Sequence, residues 1–294
     1  MFAYPLKKRE IYIFLQHEAD YKTFEAALEY LQQESALYCL NDFYCLHHDI
    51  ALVEKRIAGN KRAEALLKKA AAGARLLSRF PYVRGVAISG SLSKNYADES
   101  ADVDYFIITK QNRLWIARSF LHIFKKITFL FHKEHMYCMN YFVDETATEI
   151  TEKNIYTATE IATVLPVYGI EAFKQFYRSN SWIRTFLPNH YLRVASAKNT
   201  RSAFISRITE KILNNRLGDV IDTLLRKWTV RNWEAKTRKK KKNNRGILLE
   251  LHTSIHHAKP NPENFQHKLL QHYENKLAGI FDNCENILSP TAGI

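Results

Sequence analysis

The sequence predicts an α/β (α+β) fold. A small mixed sheet forms the core, with a helical, winged-helix-like module before it and a helical domain after it. Three observations carry this. Residues 86–88 and 105–108 are short apolar runs bounded by turn-forming residues, as expected of buried strands. Residues 136–143, MYCMNYFV, form a third such run. Before and after them lie long stretches whose apolar residues recur at threes and fours, the period of an amphipathic helix. The expected organisation is residues 1–80 for the first module, 81–165 for the core and 166–294 for the C-terminal helices, which include a basic loop at 236–245.

Residues 9–15 and 24–31 have helical spacing, and Asp20 is placed to cap the second helix. Two apolar runs, ALYCL and FYCL, flank Asn41-Asp42 and predict a β-hairpin, although its turn has no glycine. Helices followed by a hairpin describe an abbreviated winged helix. Glu25, Glu29 and Glu34 make its second helix acidic, which favours a packing role over nucleic-acid contact. Residues 50–80 are rich in Ala, Leu, Lys and Arg, strong helix formers, with a break expected at Gly59-Asn60. Their basic residues, Lys55, Arg56, Lys61, Arg62, Lys68, Lys69 and Arg75, are expected on a solvated face. Pro81 ends this region.

The chemistry is concentrated in residues 86–109, VAISGSLSKNYADESADVDYFIIT. The first strand ends in Ser89-Gly90-Ser91, where a helix is expected to begin. Glycine tolerates close approach to the backbone, and free N–H groups with a hydroxyl suit phosphate oxygens. Asp102 and Asp104 precede and open the second strand and project from one face. Carboxylates ~7 Å apart on a strand repel unless a cation lies between them. Mg²⁺, or Mn²⁺, is the natural partner beside a phosphate-bearing substrate.

An apolar strand, Gly-Ser, ten intervening residues (92–101) and then Asp-x-Asp resemble the nucleotidyltransferase superfamily that includes DNA polymerase β. Within it the chain looks most similar to bacterial stand-alone nucleotidyltransferase-domain proteins, in which segments like YTATEIATVLPVYG and NSWIRTFLPN recur. The resemblance implies that Ser89, Gly90, Ser91 and Lys94 bind the triphosphate of an NTP, ATP above others. It implies that Asp102 and Asp104 hold two metal ions, and that NMP passes to an acceptor with release of pyrophosphate. The acceptor itself is not readable. A third carboxylate on a later strand completes the metal set in that family. Here the matching position is Asn140, with Asp144 at the end of the same run as the alternative. An amide is a poor base, so a weakened fold that binds nucleotide or nucleic acid as a sensor is the rival reading.

Residues 112–131 predict a helix packed on the sheet. Residues 157–164 predict another, with Thr157 and Glu160 as a capping box, and 171–179 a third. Trp182 and Phe186 follow, read as core rather than as a base-stacking pair. Residues 201–233 read as a single long helix and 264–277 as a last one, with a loose tail after Ser289. Arg238, Lys239, Lys240, Lys241 and Lys242 are consecutive positive charges, a possible weak handle on nucleic acid or another polyanion. His252 and His256, four apart, could share a helix face, but without a third ligand they are read as surface or core residues, as are His47 and His48.

Composition bounds the rest. A formal charge of +13 over 294 residues points to a polyanionic partner. Cys39, Cys45, Cys138 and Cys284 lack metal or disulfide spacing, which argues for reduced thiols and a cytoplasmic protein. The N-terminal MFAYPLKKRE has no apolar signal core. The most apolar stretch, 114–131, is interrupted by Arg118, Lys125 and Lys126, so no membrane span is expected.

Overall fold

A computed structural model of the chain describes residues 4–191, 197–199, 203–238, 249–262 and 265–288. In chain order, β1 (Leu6–Lys7), α1 (Lys8–Phe14), α2 (Tyr21–Gln33), β2 (Tyr38–Leu40) and β3 (Phe43–Cys45) make the first module. Asp20 caps α2 as expected, accepting from the N–H groups of Lys22 and Thr23 at 3.0 Å. The hairpin forms without glycine because Asn41 (φ 51°) and Asp42 (φ 65°) both take the left-handed conformation that a tight β2–β3 turn needs. β1 adds to β3, giving a three-stranded sheet in the order β1-β3-β2.

The helix α3 (Ile50–Leu77) is unbroken. Gly59, the expected break, instead lies where the Tyr96 ring packs too close for any side chain. Arg56, expected on a solvated face, is 2% exposed. Its guanidinium pairs with Glu10 at 2.7 Å, donates to Pro5 O and Asn60 Oδ1, and lies 3.7 Å over the Tyr4 ring. Each of the three guanidinium nitrogens has a partner, which offsets the cost of burying the charge. Arg56 and Val53, which packs against Phe43 and Cys45, fasten the module to α3, consistent with a bracing role.

The core follows as β4 (Val83–Ile88), α4 (Gly90–Ser93), β5 (Asp104–Thr109), α5 (Leu114–Phe129), β6 (Cys138–Asp144), α6 (Ile155–Thr163), β7 (Leu165–Tyr168) and α7 (Ile170–Ser179). Beyond them come α8 (Phe204–Leu213), α9 (Arg216–Arg238), the hairpin β8 (Leu249–Thr253) and β9 (His257–Pro262), and α10 (Phe265–Leu288). The main sheet runs β7-β4-β5-β6-β9-β8. β4 is antiparallel to β5, whereas β5 and β6 are parallel and joined through α5. Alternate residues serve the two faces. Val86, Ile88, Tyr105, Ile107 and Phe142 pack with α3 and α5, around Ala74, Leu77, Trp115 and Leu121. Ala87, Phe106, Ile108 and Val143 pack with α6 and α7, around Ala158, Ile161, Phe173 and Phe176.

Three expectations change. α6 begins earlier than residue 157, because the Asn154 side chain caps it by accepting from Thr157 N at 2.9 Å. The long helix expected over 201–233 is two helices. It breaks at Asn214-Asn215, where Lys110 donates to the Asn214 side chain and Asn215 Oδ1 accepts from Gly218 N. His252 and His256 sit on β8 and the β8–β9 turn rather than on a helix. Lys239, Lys240, Lys241 and Lys242 and the tail after Ser289 lie outside the described residues. Among the described residues no helix is long and apolar enough to cross a membrane.

Candidate functional site

The sheet brings the Gly-Ser turn and the Asp-x-Asp segment together. Ile88 faces Tyr105 across the β4–β5 ladder, and Ser89 N donates to Asp104 O at 2.9 Å to close it. The chain then turns sharply at Gly90, which adopts φ +68°. A Cβ on Gly90 would stand 2.6 Å from Asp104 Oδ2, so only glycine fits here, for both conformation and space. Ser93 Oγ donates to Gly90 O at 2.8 Å, and Lys94 and Tyr96 N–H groups both donate to Ser91 O. These bonds fix the turn and leave Ser91 exposed beside it.

Asn140 is brought to the same place by an irregularity that sequence periodicity does not reveal. Tyr105 pairs with Met139 but Phe106 pairs with Tyr141, leaving Asn140 as an extra residue on β6. Such a bulge re-aims a side chain. Asn140 Nδ2 donates to Asp104 Oδ1 at 2.6 Å, and its Oδ1 accepts from Cys138 Sγ at 3.1 Å, which sets the orientation of the amide. Lys125 Nζ lies 3.6 Å from the same sulfur. Burial pushes the Cys138 thiol up, opposed by Lys125 and reinforced by Asp104 and Asp102. The thiol is therefore protonated and serves as a donor.

Lys94, expected on the phosphates, is already engaged. Its ammonium pairs with Glu160 at 2.8 Å and donates to Gly90 O at 3.2 Å. Glu160, read from sequence as half of a capping box, is in fact the partner of this lysine. Tyr156, one turn before it on α6, also reaches the site. Burial raises its hydroxyl, and the carboxylates of Glu160 and Asp104 raise it further. Its hydroxyl is therefore protonated at neutral pH. Sequence reading passed over Tyr156. The available signal was the four-residue spacing of Tyr156 and Glu160, opposite the apolar Ala158, Ile161 and Ala162.

Asp144 does not join the site. Asp104 is in register with Cys138, while Asp144 is in register with Thr109 at the far end of the parallel pair. Five strand residues separate the two positions, ~17 Å. Asp144 is fully buried and accepts from Asn112 N at 2.8 Å, Thr146 N at 2.8 Å and Thr146 Oγ1 at 2.6 Å. It is a loop fastener, not the third ligand. Trp182 and Phe186 stack edge to face, 5.9 Å between centroids, against the α6–α7 core, as expected of core residues.

Among the described residues no group of three or more His, Cys, Asp or Glu side chains is arranged to hold a metal ion. The donors at this end are the two carboxylates of Asp102 and Asp104, with the amide of Asn140 spent on Asp104. That set fits one Mg²⁺, an ion commonly held by one or two carboxylates and completed by phosphate oxygens and water. It does not suit a dedicated pair of ions. Comparison of the chain with family models, curated proteins and solved structures gave no match.

Proposed function

We propose that this protein is a metal-dependent nucleotidyltransferase that takes an NTP, ATP above others, and passes its NMP group to an acceptor with release of pyrophosphate. The observation that carries the reading is the apposition of Gly90, at φ +68°, to the Asp104 carboxylate across the ends of β4 and β5. A turn that admits only glycine, set against an Asp-x-Asp segment, is a place where phosphate and a cation meet. Gly90 and the exposed Ser91 receive the triphosphate, and Asp102 and Asp104 hold Mg²⁺ or Mn²⁺. A divalent ion held by these carboxylates would supply positive charge beside the triphosphate. Lys94 holds the turn through Gly90 O and Glu160, and Tyr156 supplies a neutral hydroxyl donor. With Asn140 in place of a base, the best-suited acceptor is one whose attacking oxygen is already anionic.

A second reading has its own observation. Asn140 donates to Asp104 where a third carboxylate would complete a two-ion site, which favours a protein that binds nucleotide without rapid turnover. Calorimetric titration of each NTP with and without Mg²⁺, followed by assay for pyrophosphate, separates the two. Mg²⁺-dependent binding with pyrophosphate release is the result expected of the transferase. Binding without release, across a panel of anionic and hydroxyl acceptors, selects the sensor. Binding that persists unchanged in the Asp102→Ala, Asp104→Ala double variant would remove the carboxylates from either reading.

A further inference from the structure

A second polar cleft lies at the opposite end of the β4–β7 pair. β7 starts beside the Gly-Ser end of β4, Leu165 opposite Ile88, and finishes at Tyr168 opposite Val86. There the C-terminal end of α3, the end of β7 and residues 198–199 border an open cleft of about 460 Å³ lined by Arg75, Ser78, Arg79, Tyr168, Lys198 and Asn199, with the three cations exposed at its walls. That volume is in the range of small-molecule sites. Among the described residues its lining holds three cations and no carboxylate, and none of the three forms an ion pair.

The framework is fixed. Lys198 is pinned to the strand end by two backbone bonds, Lys198 N to Val167 O at 2.9 Å and Gly169 N to Lys198 O at 2.8 Å. Tyr168 is 8% exposed. Its hydroxyl accepts from Arg75 Nε at 3.1 Å and so retains its own O–H to donate. Basic residues at a helix C-terminus are favoured by the helix dipole, which accounts for Arg75 in the last turn of α3 and Arg79 just past its Ser78 cap. It does not account for Lys198, which arrives from another part of the chain to face them. Like charges from two elements, converging around a buried hydroxyl with no acid to neutralise them, are stabilised by an anion. Guanidinium forks match phosphate oxygens in pairs, and an ammonium adds a point charge.

We propose that this cleft binds the phosphate chain of a small phosphorylated ligand of nucleotide size, without a metal ion and independently of Asp102 and Asp104. The test is calorimetric titration of the full chain with sodium tripolyphosphate in the absence of divalent ions, with ATP as a parallel arm. Saturable binding is expected for the wild type. Arg79→Gln with Lys198→Gln should weaken it at least tenfold, and Tyr168→Phe several-fold through the loss of the Arg75 contact. Two controls should leave it unchanged: Asp102→Asn with Asp104→Asn, and Lys68→Gln with Lys69→Gln, a pair of exposed charges earlier on the same helix. Equal affinities for tripolyphosphate and ATP would assign recognition to the phosphates. Tighter ATP binding, equally sensitive to Arg79 and Lys198, would identify a nucleotide as the source. The proposal is overturned if the wild type shows no saturable binding, or if the Lys68/Lys69 variant loses as much affinity as the Arg79/Lys198 variant.

Discussion

The β5–β6 pair has carboxylates at both ends, and the two ends use them differently. At one end Asp144 is fully buried and three protein donors converge on its two oxygens. Beside it Asp222, from α9, accepts from the N–H groups of Trp115 and Ile116, both at 2.9 Å, and so caps α5 from another helix. At the other end Asp102 and Asp104 are only partly buried, and Asp104 faces the positive-φ turn at Gly90. Donors supplied by the fold mark a structural carboxylate. The partly buried carboxylates beside the Gly90 turn are where we propose that the ligand binds. Residue type and apolar context are the same at both ends, so neither tells them apart.

The largest effect that would sharpen this comparison is on stability. Asp144→Ala strips the partner from Asn112 N, Thr146 N and Thr146 Oγ1. At about 1 kcal/mol for each donor left wanting, a loss of ~3 kcal/mol is expected in urea unfolding. Asp102→Asn with Asp104→Asn should cost less than ~1 kcal/mol of stability, because both side chains are partly exposed and asparagine keeps an oxygen to accept with. A double variant at the Gly90 end that unfolds as readily as Asp144→Ala would erase the distinction.

Next comes the pH dependence of the buried end. Burial pushes the Asp222 carboxyl up to about 6, against the lowering pull of the Ile116 and Trp115 N–H groups and Arg113, while Asp144 raises it further. The folded value lies above the unfolded one, so the folded state binds the proton more tightly. The stability this group contributes is fully present below about pH 4, is lost as pH rises to about 6, and is flat above that. A shift of this size is on the order of 2–3 kcal/mol. Asp222→Asn keeps an oxygen to accept from Trp115 and Ile116 and has no proton to lose. Its stability relative to wild type should therefore rise between pH 4 and 6 and then hold level. A difference that stays constant from pH 4 to 7 would show that Asp222 titrates as an ordinary carboxylate.

At the open end the measured quantity is binding. The Asp102→Asn, Asp104→Asn variant should lose at least tenfold in Mg²⁺-dependent NTP affinity, ~1.4 kcal/mol. Asp144→Asn should leave that affinity unchanged, since the residue lies at the far end of the strand pair. Equal losses in both variants would mean that the binding measured does not use the Gly90 end.

The legible parts of this molecule are those encoded by neighbours in sequence. The two strands around Gly90 and Asp104, the Asp20 cap and the glycine-free hairpin all depend on residues within a turn or two of one another. What stayed hidden is set across distance. The separation of Asp144 from Asp104 depends on the parallel register after α5, which no local pattern fixes. The aim of Asn140 depends on a one-residue bulge, and an apolar run such as MYCMNYFV reads alike with or without it. Arg56 looks like one of seven solvated bases until Glu10, Tyr4 and Pro5 arrive from 46 to 52 positions earlier in the chain. Lys94 and Glu160 form an ion pair across 66 residues, which neither the Gly-Ser segment nor the Thr157-x-x-Glu160 pattern encodes.

The smallest expected effect is at Asn140, where the two ends can be made more alike. Asn140→Asp removes the N–H donated to Asp104 and places a third carboxylate beside the pair. Without a cation the three charges repel, and ~1 kcal/mol of stability should be lost near neutral pH and recovered on acidification, as one carboxyl takes up a proton. With Mg²⁺ present the added oxygens become ligands, so NTP affinity should rise a few-fold over wild type and the stability loss should disappear. The bulge is a backbone feature of β6, and it should aim an aspartate where it now aims the amide. If Asn140→Asp binds Mg²⁺ and NTP more weakly than wild type, the amide is itself part of the binding arrangement, and its donation to Asp104 is a working contact rather than the trace of a missing ligand.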